Sequence, residues 1–228
     1  ICFISTRPQY GILCDSPDNF STTVLYRMDS DGSNIEKLSN SSVSESNPSV
    51  MNDGRILYTR WEYLDKGAVS VKCLWAMHPD GSSTQEIYGN DIPYPPVFIH
   101  GRPIPGSNNK FVFLGTPHYP QSGVGTVIKI DINKPIRTHE PMTYITPNVD
   151  IRTEGGFHHK INGEWIKTSG GPLYMDPFPL SEKYFLVSHN PDKEWNDIRA
   201  YGLYLIDEFG NHVKIYQDPE YSSWQPMP

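Results

Sequence analysis

The chain has 228 residues, with 19 Lys and Arg against 26 Asp and Glu and a formal charge of −7. No apolar run approaches the roughly 20 residues needed to span a bilayer, and no basic cluster offers the face that nucleic acid needs to release its counterions. A membrane span and a nucleic-acid partner are therefore not expected, and 18 glycines, 21 prolines and 12% aromatic residues favour short strands and many turns over helices.

The opening Cys2-Phe3-Ile4-Ser5-Thr6-Arg7 reads as a strand. Leu25-Tyr26-Arg27-Met28 then runs into Asp29-Ser30-Asp31-Gly32 and a short strand at Ile35-Glu36-Lys37-Leu38, a hairpin in which Asp and Gly supply the turn geometry. Asn47-Pro48-Ser49-Val50 precedes a strand at Arg55-Ile56-Leu57-Tyr58-Thr59, and the hairpin returns 49 residues on as Leu74-Trp75-Ala76-Met77-His78-Pro79-Asp80-Gly81. The same order follows with Arg102-Pro103-Ile104-Pro105, Lys110 to Leu114 and Val127 to Asp131. It comes again with Asp176-Pro177-Phe178-Pro179, Lys183 to Val187 and Leu203 to Gly210. Trp224-Gln225-Pro226-Met227-Pro228 opens the slot once more.

A recurring proline segment, strand and Asp-Gly hairpin predicts an all-β chain, a β-propeller built from four-stranded blades. Unrelated hairpins in a sandwich would not repeat that order. The blades fall at 1–40 (its last three strands), 44–90, 98–138 and 172–217, with the start of another at 221–228 and an insert at 139–171. All of 1–228 is read as one propeller segment. Closed propellers take about four to eight blades, so the expectation is part of a longer propeller of six to eight, cut at both ends; self-association through bare sheet faces is the alternative.

The strand and Asp-x-Asp-Gly units resemble the WD40-like repeats of TolB-type propellers. More specific segments are Ile56-Leu57-Tyr58-Thr59-Arg60-Trp61-Glu62-Tyr63, Pro103-Ile104-Pro105-Gly106-Ser107, Pro117-His118, Gly155-Gly156-Phe157-His158-His159-Lys160, Arg199-Ala200-Tyr201-Gly202-Leu203-Tyr204 and the closing Trp224 to Pro228. These are similar to the middle propeller domain of the hydrazine synthase alpha subunit and its relatives. The resemblance implies a periplasmic or extracellular location, and a role as a scaffold or binding module that holds a haem-bearing domain, another domain or another subunit. The alternative it leaves open is part of a metal- or haem-dependent enzyme, an oxidoreductase or a carbohydrate lyase or hydrolase. The three cysteines, Cys2, Cys14 and Cys73, form no CxxCH, so the segment carries no covalent haem site of its own. A Cys2–Cys14 bridge and buried free thiols are both open.

Propeller topology puts the first-to-second and third-to-fourth strand turns on one face, and the other connections on the opposite one. The long connections at 60–72, 91–101, 115–125, 139–171 and 189–201 share that second face, where binding residues gather. His100, His118, His139, His158, His159 and His189 fall on or beside them, whereas His78 and His212 belong to the Asp-Gly side. Imidazoles from separate loops suit a divalent metal, with His118, His158 and His159 as candidate ligands. Arg60, Glu62 and Tyr63, with Asp65, are candidate ligand-binding residues in one loop. Tyr119 joins them from the next, and Trp195 and Arg199 from a third. The insert reads as an ordered hairpin that covers a blade edge or closes over a ligand. No GxSxG elbow or phosphate loop is present.

Overall fold

The computed structural model describes residues 1–12, 21–63 and 71–228, and contains eighteen strands and no helix among them. The first sheet comprises β1 (Cys2–Ser5), β2 (Val24–Arg27) and β3 (Glu36–Lys37). The second comprises β4 (Glu45–Val50), β5 (Ile56–Trp61), β6 (Lys72–Met77) and β7 (Gln85–Tyr88). The third is β8 (Val97–Pro103), β9 (Lys110–Thr116), β10 (Thr126–Asp131) and β11 (Met142–Tyr144). A small sheet of β12 (Val149–Asp150), β13 (Phe157–Ile161) and β14 (Glu164–Thr168) precedes the fourth, made of β15 (Leu173–Pro179), β16 (Tyr184–Asn190), β17 (Gly202–Asp207) and β18 (His212–Tyr216). Each of these groups is an antiparallel meander, a single parallel pairing of Lys72 with Val97 links the second and third into one eight-stranded sheet, and the inner strands β4, β8 and β15 pack side by side. The sheets therefore radiate from a common axis as blades of a partial β-propeller.

The same backbone device couples each sheet to the next. Glu45 N–H donates to the Thr23 carbonyl at 2.9 Å, Lys72 N–H to Pro96 at 2.9 Å, and Gly125 and Tyr174 exchange two bonds at 2.9 and 3.0 Å. In each case the start of one sheet's next-to-last strand meets the start of the following sheet's first. At the third junction the backbones crowd so closely that a β-carbon on Gly125 would sit 2.0 Å from the Gly115 carbonyl oxygen. Only glycine fits there.

Pleating divides each middle strand between two junctions. On β5, Ile56 and Tyr58 join Leu25, Leu38 and Met77 between the first and second sheets, while Leu57 joins Leu74, Phe98 and Phe113 between the second and third. On β9, Phe111 and Phe113 face the second sheet, and Val112 and Leu114 pack with Leu173, Phe185 and Val187 of the fourth. The Asp-Gly turns form as expected: Asp31 and Asp80 each accept the backbone N–H two residues on at 2.9 Å, with Gly32 and Gly81 at φ +86° and +83°.

Two boundaries differ from the sequence reading. The outer strand of the third sheet is β11, paired with β10 through Ile128–Tyr144 and Ile130–Met142, so that sheet extends past 138 into the span read as the insert. The inner strand β8 begins at Val97, ahead of the Arg102-Pro103 segment assigned to that slot. What remains of the insert is the small β12–β14 sheet. It is not a free flap, because Val149, Ile151 and Phe157 are buried in the core with Leu173 and Tyr201. Cys2 and Cys73 carry free thiols, while Cys14 and Asp65 lie outside the described residues.

Candidate functional site

Alternation along β5 sends the residues of one candidate loop to two places. Trp61 points to the third sheet, where its ring lies 5.7 Å from the His118 imidazole and 5.2 Å from Tyr63, with Lys72 Nζ 5.2 Å from the Trp61 ring centre. Arg60 points the other way, toward the first sheet. Its guanidinium stacks 4.5 Å from the Trp75 ring, and its Nε lies 3.3 Å from Glu62 Oε1.

The third-sheet loop is held by the insert, since Glu154 O accepts the His118 N–H at 2.8 Å. Gly156 N–H donates to Gln121 Oε1 at 3.2 Å. Tyr119, beside His118, is 75% exposed. Buried Trp61 thus bridges Tyr63 of the second sheet and His118 of the third, with Lys72 against its ring and exposed Tyr119 next along the chain. Burial, then the Lys72 charge, holds the His118 imidazole below its ordinary range against the pull of Glu154, so it is neutral at pH 7.

Trp195 and Arg199 sit in the corresponding loop of the fourth sheet. The insert reaches this loop too, through Trp195 N–H to Ser169 O at 3.1 Å and Gly171 N–H to Lys193 O at 2.8 Å. Trp195 is half-buried against the core and Arg199 is exposed beside Asp197.

The three histidines proposed as metal ligands are not brought together. His158 and His159 are consecutive on β13 and therefore face opposite sides of the small sheet. Lys167, Asp150 and Arg152 are the charges around His158, whereas Lys72 and Glu154 surround His118. His159 lies 3.3 Å from the Thr168 hydroxyl. Among the described residues no group of three or more His, Cys, Asp or Glu is placed to hold a metal ion. The physical reason is the strand: a pair that looked like one loop's contribution is split by the pleat.

A second constellation, at the propeller axis, escaped the sequence reading. Each inner strand carries a bulge, between Ser46 and Ser49, Ile99 and Arg102, and Met175 and Phe178. At each bulge stands a polar residue with left-handed backbone: Asn47 at φ +52°, His100 at +53° and Asp176 at +50°. Gln225 repeats the pattern at +52°. Asn, Asp and His tolerate this region better than other side chains. They join in series, Asn47 Nδ2 to His100 Nδ1 at 3.4 Å, His100 Nε2 to Asp176 Oδ1 at 3.2 Å, and Gln225 N–H to Asp176 Oδ2 at 3.1 Å. Burial lowers the His100 pKa, the Asp176 carboxylate opposes that, and Arg102 adds to it. The signal in the sequence was a dipeptide, Asn-Pro, His-Gly, Asp-Pro and Gln-Pro, at the same place in each unit.

Radial meanders of this kind, with long loops on one face and a polar series at the axis, define the β-propeller class. No family model and no curated protein matches this sequence. Among solved structures, part of hydrazine synthase from Kuenenia stuttgartiensis is similar, with a TM-score of 0.68 at 19% identity over 95% of this chain and 28% of that one. TolB from Acinetobacter baumannii aligns at a TM-score of 0.36 and 13% identity, over 88% of this chain and 50% of that one. The tricorn protease aligns at 0.34 and 10%, over 88% and 19%. The likeness to hydrazine synthase supports the propeller fold expected from the sequence, and this chain spans little more than a quarter of that protein's length.

Proposed function

We propose that the chain is a binding platform of a periplasmic or extracellular protein, whose face of long loops holds another domain or subunit. A haem-bearing neighbour is the partner implied by the resemblance to hydrazine synthase. The observation that supports this reading is the contact between buried Trp61, at the end of β5, and His118, which ties the long-loop ends of two sheets together beside the exposed Tyr119. Exposed tyrosine and half-buried tryptophan on a rigid scaffold supply contact area at low conformational cost. No helix among the described residues is long and apolar enough to cross a membrane.

Hydroxyl-radical footprinting of the full-length protein, in its native assembly and as the isolated chain, tests the platform. Protection of Tyr119 and Trp195 in the assembly, with Phe209 of the opposite-face turn left reactive, is the expected result. Protection of Phe209 alone, or of none of the three, overturns it.

A further inference from the structure

The cleft between the first and second sheets is separate from the loop surface, and holds polar groups that the fold itself does not require. It encloses about 370 Å³, within the range of small-molecule sites. At its floor Glu45 is only 3% exposed. The Ser39 hydroxyl accepts the Leu25 N–H at 2.9 Å and donates to Glu45 Oε2, so one carboxyl oxygen is held by a short relay. Burial raises the Glu45 pKa against that bond and the Arg60 charge. Tyr58, 1% exposed, also lines the cleft, and its hydroxyl makes no hydrogen bond of ordinary geometry although the Thr84 side chain is beside it.

The repeat supplies an internal control. Counted from the bulges, strand pairing aligns Glu45 and Arg60 of the second sheet with Phe98 and Gly115 of the third and with Tyr174 and His189 of the fourth. At the third sheet neither position carries a polar side chain, and Phe98 is buried against Phe113 with ring centres 4.5 Å apart. At the fourth, Tyr174 stacks on His189 at 4.5 Å and its hydroxyl reaches His212 Nε2 at 2.7 Å. Tyr58, opposite the bulge, corresponds to Phe113 of the third sheet and Val187 of the fourth, so the repeat itself requires neither its hydroxyl nor the Glu45 carboxyl. A buried unpaired hydroxyl costs about 1–3 kcal/mol, and such departures from local consistency gather at functional sites.

The charge pattern selects the ligand. Arg60 is engaged by Glu62 and Trp75. An anionic ligand would meet Glu45, and a cationic one would meet Arg60. A neutral molecule rich in hydroxyls can both donate to and accept from Tyr58 and the serine and threonine hydroxyls around it. We propose that this cleft is a binding site for a neutral polyhydroxylated ligand of one or two sugar rings, seated on Glu45 and Tyr58.

Ligand-observed NMR titration of the full chain with glucose, galactose, mannose and maltose, alongside gluconate and glucosamine, provides the test. At least one neutral sugar is expected to bind in preference to both charged analogues, and Tyr58→Phe to weaken it roughly fivefold, the worth of one hydrogen bond. Because the hydroxyl makes no hydrogen bond of ordinary geometry, Thr84 included, Tyr58→Phe should leave the melting temperature unchanged or raised. That separates a ligand contact from a structural one, and Glu45→Gln provides a second probe that retains size and hydrogen bonding. Failure of every neutral sugar to bind, tighter binding of a charged analogue, or affinity unaltered in both variants overturns the proposal.

Discussion

His100 Nε2 lies 3.2 Å from Asp176 Oδ1, which ties the inner strand of the third sheet to that of the fourth across the propeller axis. The two residues are 76 positions apart and share one backbone state, φ +53° and +50°. A left-handed conformation at a non-glycine residue costs about 1–2 kcal/mol, so its recurrence at Asn47, His100, Asp176 and Gln225 needs an offsetting gain. The hydrogen-bonded series along the axis supplies one: each bulge turns a polar side chain toward the neighbouring strand rather than into the apolar junctions.

Asp176 is the member with most to lose, because it is 7% exposed and receives both His100 and the Gln225 N–H. Asp176→Ala leaves those donors, and the nearby Arg102 charge, without their acceptor. A loss of about 2–3 kcal/mol in chemical denaturation is expected. Asp176→Asn keeps an acceptor for Gln225 and should lose about half as much. An alanine variant within about 0.5 kcal/mol of wild type, the size of an ordinary surface change, would show that the axis is not held by this pair.

Gly125 offers a sharper steric test. Gly125→Ala drives a methyl group into the Gly115 carbonyl, at the point where Gly125 and Tyr174 exchange two backbone bonds, so both crowding and a lost inter-sheet bridge follow. Gly54→Ala is the control: φ is +86° there too, but no atom lies within 4 Å of the added carbon. The control should cost about 1 kcal/mol and Gly125→Ala at least about 3 kcal/mol, read as thermal or urea midpoints. Equal costs would mean that the junction yields freely.

The insert is anchored rather than hinged, and Phe157 is the anchor, fully buried among Val149, Ile151 and Leu173. Phe157→Ala is expected to destabilise the whole unit by about 3–5 kcal/mol, and to expose 152–171 to limited proteolysis. A variant that gains proteolytic sites in the insert but keeps its global midpoint would instead mark a separately hinged lid.

Much of the fold was legible because its signals are local. A period of two in the strands and Asp-Gly in the turns mark Leu25 to Gly32 and Leu74 to Gly81. Met142-Thr143-Tyr144 was missed because three residues at a sheet edge carry no alternation to read. The site was less legible for a different reason. Whether Trp61 meets His118, or Asn47 meets His100, depends on the angle between blades, which no single segment encodes. At the third inner strand the bulge uses His100-Gly101 where the others use a residue before proline, so a search for proline placed the slot at Arg102-Pro103. Adjacent His158 and His159 looked like one ligand pair until β13 set them on opposite faces.

The last expectation concerns acid. His189 stacks on Tyr174 at 4.5 Å, meets the edge of Tyr204 at 4.8 Å and lies 4.9 Å from His212, while its Nδ1 is 3.0 Å from the Leu173 carbonyl. Burial pushes its pKa from 6.5 down to about 4, against the Leu173 bond and with help from the His212 charge. The unfolded chain therefore takes up a proton that the folded chain refuses. Stability from this group is complete above pH 6.5 and falls as pH drops from 6.5 toward 4, a loss of about 2 kcal/mol by pH 5. His118, His158, His159, His100 and His212 are displaced the same way, so the wild-type protein should lose more than that. Glu45, displaced upward, acts with the opposite sign, but equally in any variant that leaves it alone. His189→Phe keeps the aromatic stack and removes the titration. Urea midpoints at pH 7.5 and pH 5 should show the variant losing about 2 kcal/mol less than wild type between the two conditions, even if it starts lower for want of the Leu173 bond. Identical losses in the two proteins would place the acid sensitivity in other groups.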